Sequence, residues 1–276
     1  MASDNLYMGR ISYINASPVY YGLDHGLAPD WLTLVTDVPA ALNQKIIASD
    51  IDISPISAAH YALHHKELLL LPDFSISCRG PVMSVICAAD YPLDDLSGKT
   101  VMFSRESASG AAFLKMIFAR RGIRPKFRVG PVGDITAIPN DVDAVMVIGD
   151  AALTQPWKSR FFHWYDLGQL WYEMTHLPFV FAVWVVRRSF AAARPEQVSL
   201  ALDLLKASRE AGYGHLDTVI DAGQAKLGLD RQVVKAYYDR LYCDLDQEKI
   251  QAMACFFDGL FQQKILTSRP EIAFFQ

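Results

Sequence analysis

The chain has 276 residues, 51% of them apolar and 20% charged, with a formal net charge of −4. That length suits one or two domains with a large core, and the mild acidity carries no nucleic-acid footprint. The four cysteines (Cys78, Cys87, Cys243, Cys255) share no C-x-x-C spacing, so zinc-site and thioredoxin-type readings lack support. Free thiols in a reducing compartment are the simpler account.

Residues 1–8 contain neither a basic segment nor a long apolar one, so a secretory signal is not expected. Residues 9–14 predict a first strand. It runs into Asn15-Ala16-Ser17-Pro18, where Pro18 suits the first turn of a helix and Ser17 its cap. Asn15 therefore falls on a strand-to-helix loop, where open α/β sheets place ligand contacts. An Asn that only turns the backbone explains it equally well. Residues 31–36 predict a second strand, 39–48 a helix, 49–57 a third strand ending at Ser57, and 58–64 another helix. His60 and His64 have the spacing of a metal pair but lack supporting ligands, so no metal site is expected.

Leu68 to Leu71 predict a buried strand. Residues 79–88 predict another with Ser84 in its middle, where a hydroxyl needs a partner from the backbone or from a ligand. Residues 99–103 read as a strand. After it Ala111, Leu114, Ile117 and Phe118 recur at helical spacing until Gly122, a C-terminal cap. Between them runs Ser104-Arg105-Glu106-Ser107-Ala108-Ser109-Gly110. Free N–H groups and hydroxyls at a positive helix end make an anion pocket, while Ser107 or Ser109 as a mere N-cap is the plainer alternative.

Residues 127–130 and 141–148 predict two more strands. The second ends in Gly149-Asp150, where a helix cap is the plainer role for Asp150. Residues 177–186 form the longest apolar run. It is too short for a bilayer span and contains Pro178, so a cytoplasmic protein without a membrane partner is expected. The remainder predicts amphipathic helices on Val198, Leu202 and Leu205, on Val233, Tyr237 and Leu241, and on Ile250, Met253, Phe257 and Leu260, the last capped by Asp246.

Alternating strands and helices predict parallel α/β sheets. Two long apolar strands, residues 81–88 and 179–186, predict crossings between two lobes: residues 1–87 with 179–276, and residues 88–178. Asn15, Ser57, Ser84, residues 107–110 and Asp150 then face one cleft, because each lies at or near a strand end.

Five stretches carry a resemblance: Arg10-Ile-Ser-Tyr-Ile-Asn15-Ala-Ser-Pro18, Gly80-Pro-Val-Met-Ser84-Val, Ser104-Arg-Glu-Ser107-Ala-Ser109, Ile148-Gly-Asp150-Ala-Ala-Leu and Leu177-Pro-Phe-Val-Phe-Ala-Val-Trp184. In this order they resemble the chorismate dehydratase family of the futalosine route to menaquinone. The resemblance implies a two-lobed fold similar to type II periplasmic binding proteins. It implies loss of water from chorismate to give 3-enolpyruvylbenzoate, without a cofactor. Chorismate is a dicarboxylate, and by the resemblance Ser107, Ala108, Ser109 and Gly110 hold one carboxylate. Asn15 orients the leaving hydroxyl or the enolpyruvyl group, and Ser57 and Ser84 complete the pocket. Asp150 is a possible base, although a carboxylate sits awkwardly beside a dianion; the substrate's enolpyruvyl carboxylate is the other choice. A monomer or a homodimer is expected.

The chain departs from the family in having Ser109-Gly110 where Thr-Ser is frequent, and His176 where Gly often precedes Leu-Pro-Phe. The related 1,4-dihydroxy-6-naphthoate synthase family carries a histidine where this chain has Gly149. A non-catalytic anion-binding protein would share the cleft but is expected to carry an export signal or a lipid-anchoring cysteine. A regulator's effector domain would need a helix-turn-helix ahead of the first strand.

Overall fold

Eleven strands are described in the computed structural model, which covers residues 5–276; residues 1–4, where the segment read for a signal begins, lie outside the described part. In chain order they are β1 (Leu6–Ile11), β2 (Leu32–Asp37), β3 (Ile53–Ser57), β4 (Leu68–Cys78), β5 (Val85–Ala89), β6 (Thr100–Ser104), β7 (Lys126–Gly130), β8 (Ala144–Ile148), β9 (His163–Asp166), β10 (Phe179–Arg187) and β11 (Leu241–Tyr242). One sheet has the order β11-β4-β10-β3-β1-β2 and the other β7-β6-β8-β5-β9.

Both sheets are mixed, which corrects the all-parallel expectation. β1 runs parallel to β2 and β3, and β6 to β7 and β8. The strands next to the crossings run the other way: β10 is antiparallel to β3 and β4, and β5 to β8 and β9. Reversed strands let the chain enter the second sheet and return without a helical crossover.

The first crossing is a loop, not a strand. Gly80 (φ 82°) and Met83 (φ 65°) take the left-handed conformation, which breaks extended pairing before β5 begins at Val85. Ser84 thus closes a loop instead of sitting mid-strand. Residues 85–87 pair within the second sheet, whereas the sequence reading put them in the first lobe. The return passes His176 (φ 56°) and enters β10 at Phe179. Asp166 fixes the outgoing loop. Its carboxylate accepts the N–H groups of Val82 and Met83, and it also caps the helix Leu167–Thr175 through Gly168 and Gln169.

β9, the helix Leu167–Thr175 and β11 lie outside the sequence expectation, and Leu241, expected on a helical face, falls in β11 because the helix Arg231–Tyr238 ends three residues earlier. β9 is four half-buried residues with no alternation to betray it.

An aromatic wedge joins the lobes. Phe113 and Trp171 pack on Phe179 with ring centroids 5.1 Å away in each case, and Phe256 lies 5.0 Å from Phe179. All four are buried. Such rings add edge and offset contacts to the area they remove from water. They fix the helix Ser109–Arg121 against β10 and the C-terminal helix Gln247–Gln262. Among the described residues no helix is long and apolar enough to cross a membrane.

Candidate active site

A cleft opens where the C-terminal ends of β1, β3, β6 and β8 meet β10. It encloses about 580 Å³ of space, its solvent-open mouth included. Asn15, Ser57, Ser84, Ser107, Ala108, Ser109 and Gly110 all line it, together with Tyr13, Glu106, Gly149 and Phe181. Asp150 does not. Among the described residues no histidine lines it, and no group of three or more His, Cys, Asp or Glu is placed to hold a metal ion.

Asn15 lies in the short turn Ile14–Ala16, ahead of the helix Ser17–Gly22, which carries Pro18 in its first turn. Ser17 does not cap that helix through its side chain. The carboxamide oxygen of Asn15 is buried and has no hydrogen-bond partner. A buried acceptor left unmatched costs on the order of 1–3 kcal/mol, and such groups concentrate where ligands bind.

The serine turn divides its hydroxyls. The helix Ser109–Arg121 begins from Ala108, which offers no side-chain cap, so neither serine is the N-cap. The first-turn N–H groups of a helix have no partner within it, which leaves these at the positive end facing the cleft. The Ser109 hydroxyl is spent elsewhere. It donates to the Phe181 carbonyl (2.7 Å), accepts the Ala59 N–H (3.1 Å) and lies 3.0 Å from Ser57 Oγ. Ser57 in turn caps the helix Ala58–His64 through the His60 N–H and gives its own N–H to Asn43. Ser57 and Ser109 thus stitch one lobe to the other. Gly110 is a packing requirement: a Cβ there would lie 2.9 Å from Ser107 Oγ and 3.0 Å from Val85. The hydroxyl missing from position 110 therefore leaves room for that of Ser107.

Ser84 Oγ accepts from the Tyr237 phenol at 2.9 Å, and its own proton remains available to the cleft. Burial, above all, holds the Tyr237 phenol far above its ordinary value, so it stays a donor. The Ser84 carbonyl accepts the Gly149 N–H.

Among the lining side chains, two polar ones, Tyr13 and Glu106, have no role in the sequence expectation. The Tyr13 phenol donates to the Glu106 carboxylate across the lobes. Burial first, then that hydrogen bond and the charges of Glu106 and Asp150, raise the Tyr13 phenol well above its usual range. Glu106 stands inside the serine turn, and an acid beside an anion pocket was the available signal. Gly149 has φ 66°, and a Cβ there would be 2.6 Å from the Tyr13 ring.

Asp150 is neither a cap nor a lining residue. The helix Gly149–Thr154 starts from Ile148 with no side-chain cap. Asp150 Oδ1 instead accepts the Ile14 N–H of the other lobe at 3.1 Å, and Oδ2 pairs with Lys226 at 2.9 Å. The thiols are also set aside: burial pushes Cys87 up to about 12 and Cys243 up to about 11, away from thiolate chemistry.

Residues 6–262 match a protein family described as menaquinone biosynthesis. The chain belongs to this menaquinone biosynthesis family. A curated relative, chorismate dehydratase from Thermus thermophilus, is 30% identical over 270 residues, spanning 92% of this chain and 94% of the relative. Among solved structures, an Archaeoglobus fulgidus protein superposes with a TM-score of 0.74 at 18% identity, over 96% of this chain and all of the other. The alkanesulfonate-binding protein of Xanthomonas axonopodis, bound to MOPS, gives 0.69 at 15% identity over 98% and 96%. At such identities the likeness is one of fold, and this family member has the two-lobed α/β architecture of periplasmic binding proteins.

Proposed function

We propose that this family member removes water from chorismate to give 3-enolpyruvylbenzoate, as a hydro-lyase of the futalosine route to menaquinone. Kinship over nearly the whole chain to a chorismate dehydratase supports the reading. One structural observation carries it: a buried, unpartnered carboxamide oxygen at Asn15 shares a cleft with an uncapped helix N-terminus. A ligand with a hydroxyl donor and carboxylate acceptors satisfies both.

The reaction is redox-neutral and needs no cofactor. A ring C–H bond breaks, its electron pair enters the ring, and the ring C–O bond breaks as hydroxide leaves with a proton as water. The ring becomes aromatic, which drives the step. First-turn N–H groups of the helix Ser109–Arg121, with the Ser107 hydroxyl, hold the ring carboxylate and stabilise the charge that builds on it as the ring proton departs. Asn15 accepts from the substrate hydroxyl and fixes its direction, and Ser84 donates to the second carboxylate.

Both carboxylates near the cleft are already engaged, which favours a base supplied by the substrate. The Asp150 carboxylate is held by Ile14 and Lys226, and that of Glu106 by Tyr13. The substrate's enolpyruvyl carboxylate takes the ring proton and passes it to the departing hydroxide, which leaves as water. A cytoplasmic setting accompanies this reading, and four free cysteines suit a reducing compartment.

Incubation with chorismate, followed by ultraviolet absorbance and mass, tests it. The expected result is an aromatic product lighter by one water. Binding without turnover would support a non-catalytic anion-binding protein instead. A 1,4-dihydroxy-6-naphthoate synthase is disfavoured by the Tyr13 ring, which occupies the space a residue-149 histidine would need.

A further inference from the structure

Ile14, the residue before Asn15, is gripped on both sides. Its N–H is held by Asp150 of the second lobe at 3.1 Å, and its carbonyl accepts the Tyr238 phenol at 2.9 Å. The grip is itself braced. Lys226, on the helix Leu216–Leu227, pairs with the free oxygen of Asp150 and donates to the Ser12 carbonyl. Tyr238 is adjacent to Tyr237, which holds Ser84 on the opposite wall. The helix Arg231–Tyr238 therefore fixes a group on each side of the cleft.

The direction of Asp150 is informative. An acid in the first turn of a helix ordinarily faces that helix's own N–H groups. Here it turns away from them and reaches a backbone N–H in the other lobe, with Lys226 balancing its charge. A neutralised carboxylate near the cleft does not repel a dianion. We propose that Asp150 and Tyr238 are positioning residues that set the orientation of the Asn15 carboxamide when the lobes are closed. This rests on the chorismate dehydration proposed above.

Steady-state kinetics on chorismate, together with the carboxamide NMR resonances of Asn15, test it. Asp150→Ala should lower kcat by about 10–100-fold, since small misplacements of an orienting group cost that much, with KM changed less than about threefold. Tyr238→Phe should lower kcat by about tenfold. Asp150→Asn keeps an oxygen for the Ile14 N–H and should rescue most of the loss. The Asn15 resonances should move in Asp150→Ala and stay near the wild-type position in Asp150→Asn.

Wild-type kcat in Asp150→Ala overturns the proposal. So does an Asp150→Asn variant as impaired as Asp150→Ala, which would give the charge itself a role in the chemistry. If the wild-type protein leaves chorismate unchanged, the dehydration reading fails by itself. The carboxamide resonances then decide the positioning role separately, and unmoved Asn15 signals in Asp150→Ala overturn it.

Discussion

The Tyr13 ring fills the space above Gly149 where any other residue would place its side chain, 2.6 Å from a Cβ. The two residues are in different lobes, and Tyr13 goes on to donate to Glu106. Gly149→Ala should therefore do two things. It adds left-handed strain of about 1 kcal/mol or more at φ 66°. It also displaces Tyr13 and loosens the Tyr13–Glu106 bridge. Thermal unfolding should show Tm lower by roughly 4–10 °C, and kcat/KM for chorismate should fall at least about tenfold. A variant with wild-type Tm and wild-type rate would mean that the Tyr13 position is not needed.

The fold and most of the cleft were legible because strand ends announce themselves. Asn15, Ser57 and residues 107–110 each follow a recognisable apolar run, and a two-lobed α/β protein gathers such ends. What each residue does there was not legible. Ser109 looked like an anion ligand, yet its hydroxyl partners, Ala59 and Phe181, are 50 and 72 residues away. Asp150 looked like a cap or a base, and its partners are 136 residues upstream and far downstream on a helix whose pattern went unread. Ser84 was set mid-strand because Val82 and Val85 continue the apolar run. The positive φ of Met83, a residue type that gives no such hint, breaks it.

The division of labour in the serine turn can be read by a paired substitution. Ser109→Ala removes a buried hydroxyl with three partners, including the Phe181 carbonyl, and should cost about 1–3 kcal/mol of stability. Ser107→Ala removes a half-buried hydroxyl that lines the cleft. It should leave urea-unfolding stability within about 0.5 kcal/mol. kcat/KM for chorismate should fall about three- to tenfold, the worth of one hydrogen bond of about 1 kcal/mol. Equal stability losses in the two variants would contradict the assignment.

Asn15→Ala separates function from stability. Its carboxamide oxygen is buried without a protein partner, so truncation removes a polar group that the fold itself does not satisfy. Folding stability should hold or rise slightly. The dehydration rate should fall about 10²–10³-fold, the usual loss when one positioned polar group is removed from a transition state. An Asn15→Ala protein that dehydrates chorismate at the wild-type rate would remove Asn15 from the mechanism.

His60 makes stability depend on pH at the helix that follows Ser57. Burial, and next the neighbouring His64 ring 4.5 Å away, lower its pKa from 6.5 to about 4, against smaller raising effects of the Asn43 backbone and Glu67. Its Nε2 is buried without a partner, as suits a neutral ring. The unfolded chain binds this proton near pH 6.5, the folded chain only near 4. The contribution is therefore complete above pH 6.5 and is lost steadily as pH falls toward 4. Between pH 7 and pH 5 the wild type should lose about 2 kcal/mol relative to His60→Gln, which has no such titration. Urea unfolding of both proteins at several pH values reads this difference directly. A gap between them that does not change with pH would show that His60 takes up its proton equally in the folded and unfolded chains.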